Sequence, residues 1–265
     1  MSRQSNEVLE LLMRALVAWS PSLELGSEIA HSNRTSRTWH ARIGDRRAVV
    51  KLTFDGQPFV EPGLRVAAQV QATTGVPTGA PIPTLSGQVT VPVTVYCSVA
   101  TLAVLEHVAG RPVGRFDVAL ARSAGLLLAR VHACLSADAP AFPAGTLDWF
   151  EQHSSQRDAV AAAKEVNALV RTGALTVGVL YGDPSPELLL GDASDLRLID
   201  WETPSRGPFL YDVATWLGHI ERHGDAAAAA YFLPAYRSVS RLKDAEFDAF
   251  DLCRVLWQRL LAGGN

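Results

Sequence analysis

Two aspartates in the second half of the chain, Asp183 and Asp200, each end or follow a short apolar run, Val177 to Leu180 and Leu196 to Asp200. One hairpin-length connection separates them, so they can converge at one end of it. Phosphoryl transfer uses such a pair: one carboxylate orients an attacking hydroxyl and accepts its proton, and the other holds a divalent cation against the phosphates of a donor nucleotide. Each residue also has a plainer reading. Gly182-Asp183-Pro184 is a common turn sequence, and Asp200 is able to cap the turn that follows it. Lys51, closing Ala48-Val49-Val50-Lys51, is by itself a strand-end lysine on a solvated face.

The elements that must position these residues fall into two halves. Thr38 to Ile43, Gly44-Asp45 and Arg46 to Leu52 read as a hairpin, with Gly44 supplying the positive φ of a type II′ turn and Trp39, Ala41 and Ile43 on one face. A helix is expected to open at Glu61-Pro62 and run toward Gln71. Val76 to Pro83 reads as a Pro/Gly loop. Val89 to Val95 alternates as a strand whose Pro92 marks an edge or a bulge, and Thr101 to Leu105 is a further strand. From Phe116 the period turns helical, with the stripe Val118, Ala121, Ala124, Leu128 and Val131. Ser136 to Gly145 is a loop and Ser155 to Arg171 a helix. Glu187 to Leu190 is a short extended piece, and the chain from about Tyr211 is helical. Val8, Leu11, Leu12, Ala15 and Leu16 give an amphipathic N-terminal helix. The fold class is therefore α+β, a β-rich part before a helical part.

Composition narrows the function. The chain has 265 residues, 48% of them hydrophobic, and a net charge of −3, which argues against a general nucleic-acid binder. Cys97, Cys134 and Cys253 form no CxxC pair, which argues against zinc and a disulfide framework and fits a reducing cytoplasm. Residues 66 to 105 carry no charge, but Pro, Gly, Thr and Gln interrupt them too often for a membrane span. Glu10 and Arg14 break the N-terminal apolar run, so no signal peptide is expected.

The order of motifs resembles the aminoglycoside phosphotransferase and choline-kinase-like superfamily, whose signature is H-G-D-x-x-P-x-N, then I-D-W/F, then Y-D-x-A. Here the blocks are Tyr181-Gly182-Asp183-Pro184-Ser185-Pro186-Glu187-Leu188, then Ile199-Asp200-Trp201, then Tyr211-Asp212-Val213-Ala214. The resemblance implies a protein-kinase-like bilobal fold, with residues 1–106 as the nucleotide-binding lobe and 107–265 as the lobe of the catalytic loop and acceptor. It implies ATP or GTP with Mg2+, Asp183 as catalytic aspartate, Asp200 as metal ligand and Asp212 as a structural brace. Lys51 resembles the phosphate-pairing lysine. Ser32 and Asn33 resemble the S-N-x-T/S turn that caps phosphate oxygens. Glu106, His107 and Val108 resemble the hinge whose backbone pairs with the nucleobase. Leu126 to His132 resembles the helix beneath the catalytic loop.

The pattern breaks at position 188, where the family's second metal ligand, asparagine, is Leu188, a side chain with no lone pair for a hard cation. The family histidine is Tyr181. Glu187 and Ser185 are candidate replacements, although an extended Glu187 would face away from position 188. Two functions follow from the resemblance: a kinase acting on a hydroxyl of a small acceptor, cationic ones included, and a nucleotide-binding pseudokinase. Glu61 is either the partner of Lys51 or a helix-terminus carboxylate. His107 and His132 read as packed residues. From Asp183 onward there are thirteen acids and eight bases, against fourteen and sixteen before it, so acidity concentrates where the family binds cationic amines. Glu202, Glu221, Asp225, Asp244, Glu246 and Asp248 form that pool, each also explicable as a solvated helical face.

Overall fold

A computed structural model describes residues 3–30, 35–54, 57–96, 98–135, 146–153, 156–182, 184–201 and 204–263. The first part is an antiparallel sheet with strand order β1-β2-β3-β5-β4, made of β1 (Leu23–Ile29), β2 (Ser36–Ile43), β3 (Arg46–Thr53), β4 (Val91–Val95) and β5 (Ser98–Glu106). The expected hairpin pairs Thr38 with Lys51 and Ile43 with Arg46. Gly44 at its turn has φ +58°. Even-numbered β3 residues, Ala48, Val50 and Leu52, are buried with Trp39 and Ala41 against Val8, Leu12 and Leu16 of helix α1 (Arg3–Leu16). Strand alternation then turns Lys51 to the opposite face. Strand β4, holding Pro92, is the sheet edge, where a residue without an N–H is tolerated.

Helix α2 (Gln57–Thr74) lies between the sheet and the helical part. Its Val60 and Leu64 pack with Ala103 of β5, while Val66, Ala67 and Val70 join the large helical core. It begins four residues before the expected Glu61-Pro62, so Pro62 is interior rather than in the first turn. The segment after α2 runs beside β5: Glu106 donates its N–H to Ala80 O (2.9 Å) and Ile82 to Val104 O (2.8 Å).

The second part contains α3 (Val118–Cys134), α4 (Thr146–His153), α5 (Arg157–Arg171), α6 (Phe209–His223), α7 (Ala229–Val239), a 3-10 turn (Asp244–Ala249) and α8 (Phe250–Gly263). Asp117 caps α3 through Leu120 N–H (2.8 Å), satisfying an otherwise orphaned donor. Helix α6 is buried all round from Phe209 to Ile220, the pattern of a central core helix. Two small ribbons sit beside it. Strand β6 (Val177–Leu180) pairs with β9 (Ser205–Pro208), and β7 (Leu189–Leu190) with β8 (Arg197–Leu198). Residues 186–188 form a turn instead of the expected extended piece, with Leu188 donating its N–H to Ser185 O (2.9 Å). Strands β1 and β9 and helix α4 were not expected from the sequence. The Ser136 to Gly145 loop and the start of the Ser155 helix lie outside the described residues.

Candidate active site

Lys51 sits on β3 with its side chain 9% exposed, and its Nζ donates to Asp200 Oδ1 at 2.9 Å across 149 residues of sequence. Burying an ammonium is costly unless an opposite charge meets it, so this pair fixes the lysine beside the aspartate. Asp200 has φ +67°, in the left-handed region that aspartate tolerates better than most residues. Its neighbours hold that turn. Ile199 donates its N–H to Leu188 O (3.0 Å), and the Tyr181 hydroxyl donates to Ile199 O (2.5 Å). Leu198 donates its N–H to Pro77 O (3.1 Å), tying the β7–β8 ribbon to the segment after α2.

Behind the loop that leads to Asp183 lies Asp212, fully buried on α6. Its carboxylate accepts the backbone N–H of Tyr181 (Oδ2, 2.8 Å) and of Gly182 (Oδ1, 3.0 Å). His132 on α3 places Nε2 3.1 Å from Asp212 Oδ2 and Nδ1 2.8 Å from the Tyr236 hydroxyl. A carboxylate only accepts, so Nε2 carries the proton, and in the neutral ring Nδ1 accepts from Tyr236. His132 also stacks on Phe209, with centroids 4.2 Å apart. Burial pushes the Tyr236 phenol well above its ordinary pKa, which keeps it a donor. Three helices thus converge on the backbone of residues 181–182.

The third component is Glu106, His107 and Val108 at the end of β5. The Glu106 carboxylate accepts from Arg46 (3.0 Å) and from Gln71 (2.6 Å). Gly79, with φ +68°, has the Glu106 carbonyl oxygen, Val108 Cγ2 and Ile199 Cγ2 within 4.0 Å of where a Cβ would stand. The end of β5, the residue after β8 and the loop after α2 therefore meet at one point. Burial, then the charges of Arg47 and His40, hold the His107 pKa below its ordinary value, so it is neutral at pH 7.

The structure brings Lys51 to Asp200 and stacks Asp212 and His132 beneath residues 181–182. Ser32, Asn33, Asp183 and Glu202 lie outside the described residues. Glu61 bonds Arg65 (2.7 Å) and the Thr90 hydroxyl (3.3 Å), so its pairing lies along its own helix and across to the loop before β4. Glu187 is exposed. Sequence reasoning passed over Gly63. A Cβ there would stand 1.8 Å from Trp201 O, so α2 presses directly on the backbone after Asp200. The available signal was a glycine inside a helical pattern, which usually has a packing reason.

Among the described residues a divalent cation would find one hard oxygen ligand here, Asp200. Leu188 offers no side-chain lone pair, and its carbonyl already accepts from Ile199. Among the described residues no cluster of three His, Cys, Asp or Glu side chains could hold a metal. Mg2+ commonly keeps several waters and takes one or two carboxylates plus substrate phosphates, so Asp200 fits a sparse site of that kind.

The model of the Phosphotransferase enzyme family matches residues 27–250, and the chain belongs to that family. Among solved structures it is similar to a microcompartment-associated aminopropanol kinase (18% identity, TM-score 0.69, 96% of this chain and 87% of that one). It is also similar to an amicoumacin kinase in complex with AMP-PNP, Ca2+ and Ami (14%, TM-score 0.71, 99% and 88%). A third is an aminoglycoside phosphotransferase from Alicyclobacillus acidocaldarius (15%, TM-score 0.66, 94% and 84%). At these identities the likeness shows the protein-kinase-like fold. A comparison with curated proteins finds no match in sequence. No helix among the described residues is long and apolar enough to cross a membrane.

Proposed function

We infer that this chain transfers the γ-phosphate of ATP or GTP to a hydroxyl of a small molecule. The observation that carries the reading is the Lys51–Asp200 pair, which joins the sheet to the catalytic-side ribbon at 2.9 Å. Residues 1–106 are read as the nucleotide lobe and 107–265 as the lobe that receives the acceptor. The backbone of Glu106, His107 and Val108 takes the nucleobase, and Ser32, Asn33 and Lys51 take phosphate oxygens. Asp183 follows directly on the two N–H groups held by Asp212. It accepts the acceptor's hydroxyl proton as that oxygen bonds the γ-phosphorus and the bond to the bridging oxygen breaks. Asp200 would hold Mg2+, which supplies charge neutralisation at the phosphates.

Acceptors of aminoglycoside, choline or sugar type suit the acidic C-terminal half, and the similar structures include kinases of an amino alcohol and of an antibiotic. The enzyme is placed in the cytoplasm, where the donor nucleotide is made and dispersed thiols stay reduced. Leu188 favours a second reading, a nucleotide binder with impaired turnover, because neither its side chain nor its engaged carbonyl replaces the missing ligand. A screen of hydroxyl-bearing amines and sugars for loss of ATP separates the two. The first reading expects turnover that Asp183→Ala cuts by on the order of 10²-fold or more. Turnover that survives this substitution refutes the role of Asp183. No turnover, with ATP binding indifferent to Mg2+, supports the second reading.

A further inference from the structure

Helix α2 is fastened at two places that lie eight residues apart, about 12 Å along its axis. At Gly63 its backbone meets the Trp201 carbonyl, with only glycine fitting between. At Gln71 the side chain is bonded at both ends. Nε2 donates to Glu106 Oε2 (2.6 Å), and Oε1 accepts the Thr78 N–H (3.0 Å) and lies 3.3 Å from its hydroxyl. Thr78, 1% exposed, also donates its hydroxyl to Ala67 O (2.8 Å). Arg46 closes the set on the other Glu106 oxygen. None of these groups belongs to the reacting centre. Together they connect β3, the hinge, α2 and the loop holding Gly79.

We propose that Gln71 is a positioning residue for the nucleobase, acting through Glu106, and that α2 is a spacer that sets the distance between the hinge and Asp200. The proposal rests on the reading of this cleft as a nucleotide site. Its logic is geometric. The Glu106 backbone carbonyl and Val108 face the same point as Gly79, and residue 79 follows directly on Thr78, which Gln71 grips. Gln71 thus holds both sides of that point from behind. A short hydrogen bond to a carboxylate is strong enough to fix the hinge backbone, and the amide is the one side chain able to donate to Glu106 while accepting from Thr78.

The test is calorimetric titration with adenosine and with ATP, without metal, so that cation binding does not enter. Gln71→Leu is expected to weaken both ligands about tenfold by the same factor, since the base contact is common to them, when measured well below the variant's own melting temperature. Gln71→Glu sets two carboxylates against each other and should weaken both further. The exchange Gln71→Glu with Glu106→Gln reverses the bond between positions 71 and 106 and leaves Thr78 and Arg46 donating to oxygens as before, and is expected to return affinity to within about threefold of the starting protein. A loss of packing alone would not be repaired by that exchange. Adenosine affinity unchanged in Gln71→Leu, or a double variant no tighter than Gln71→Glu, overturns the proposal. Failure of the unsubstituted protein to bind adenosine or ATP overturns the nucleotide reading itself, and this inference with it.

Discussion

The two sides of the cleft are held to very different degrees. Beneath residues 181–182, Asp212, His132 and Tyr236 form a buried network whose donors and acceptors meet one another. On the opposite side, the described residues offer one carboxylate, Asp200, paired with Lys51, and a leucine at position 188. The backbone of residues 181–182 is therefore braced from behind by several buried polar groups, while on the Asp200 side the described polar contacts centre on the single Lys51–Asp200 pair. Position and charge neutralisation are separable contributions to phosphoryl transfer.

The comparison breaks most sharply at Asp212. Asp212→Ala leaves two buried N–H groups and His132 without their acceptor, and should destabilise the protein by roughly 3–5 kcal/mol in urea unfolding. Asp212→Asn keeps an acceptor and should cost less. An unchanged midpoint for Asp212→Ala would remove the network from the account. Next in size is Gly63→Ala, whose methyl collides with the Trp201 carbonyl. About 3 kcal/mol of destabilisation is expected from overpacking against backbone, and α2 should shift away from Asp200. A melting temperature equal to that of the parent would show that α2 does not bear on Asp200.

Acid should loosen the supported side first. His219 lies on α6, the helix of Asp212, and burial, with His223 and Arg222 nearby, lowers its pKa from 6.5 to about 4. The unfolded chain then binds more protons between those values. Stability is full above about pH 6.5 and falls as pH drops toward 4, by on the order of 2–3 kcal/mol. His219→Leu should flatten that part of the pH–stability curve, and an equally steep curve in the variant would assign the loss to other groups. The smallest structural effect belongs to Leu188→Asn, within about 1 kcal/mol in stability because the side chain is only half-buried. Its effect on function should be larger, lowering the Mg2+ concentration needed for ATP binding. No change, with ATP still bound, would show that a missing ligand is not what makes this side sparse.

Some of this was readable in the sequence for physical reasons. The β2–β3 hairpin announced itself through alternation and Gly44, and Lys51, Asp200 and Asp212 through residue type and order. Strand β1 did not, because Gly26-Ser27 and a register shift between Leu25 and Glu28 interrupt the alternation that Leu23 and Leu25 begin. Strand β9, Ser205–Pro208, is made by backbone pairing with β6 and has no strand-like side chains. Helix α4 is short, with 8 residues, and gave too few turns to show a period. Pro62 misled the start of α2, since proline favours a first turn and here stands inside the helix. Gly63 and Gln71 matter through tertiary approach, to a carbonyl and a carboxylate far away in sequence, which no local pattern encodes.

The central claim is that Lys51 and Asp200 together form the seat of a nucleotide's phosphates. Titration of ATP and of adenosine into the parent and into Lys51→Met tests it most directly. The account predicts that ATP binds the parent and weakens at least tenfold in the variant, while adenosine is unaffected. Equal ATP affinity in the two proteins would contradict it.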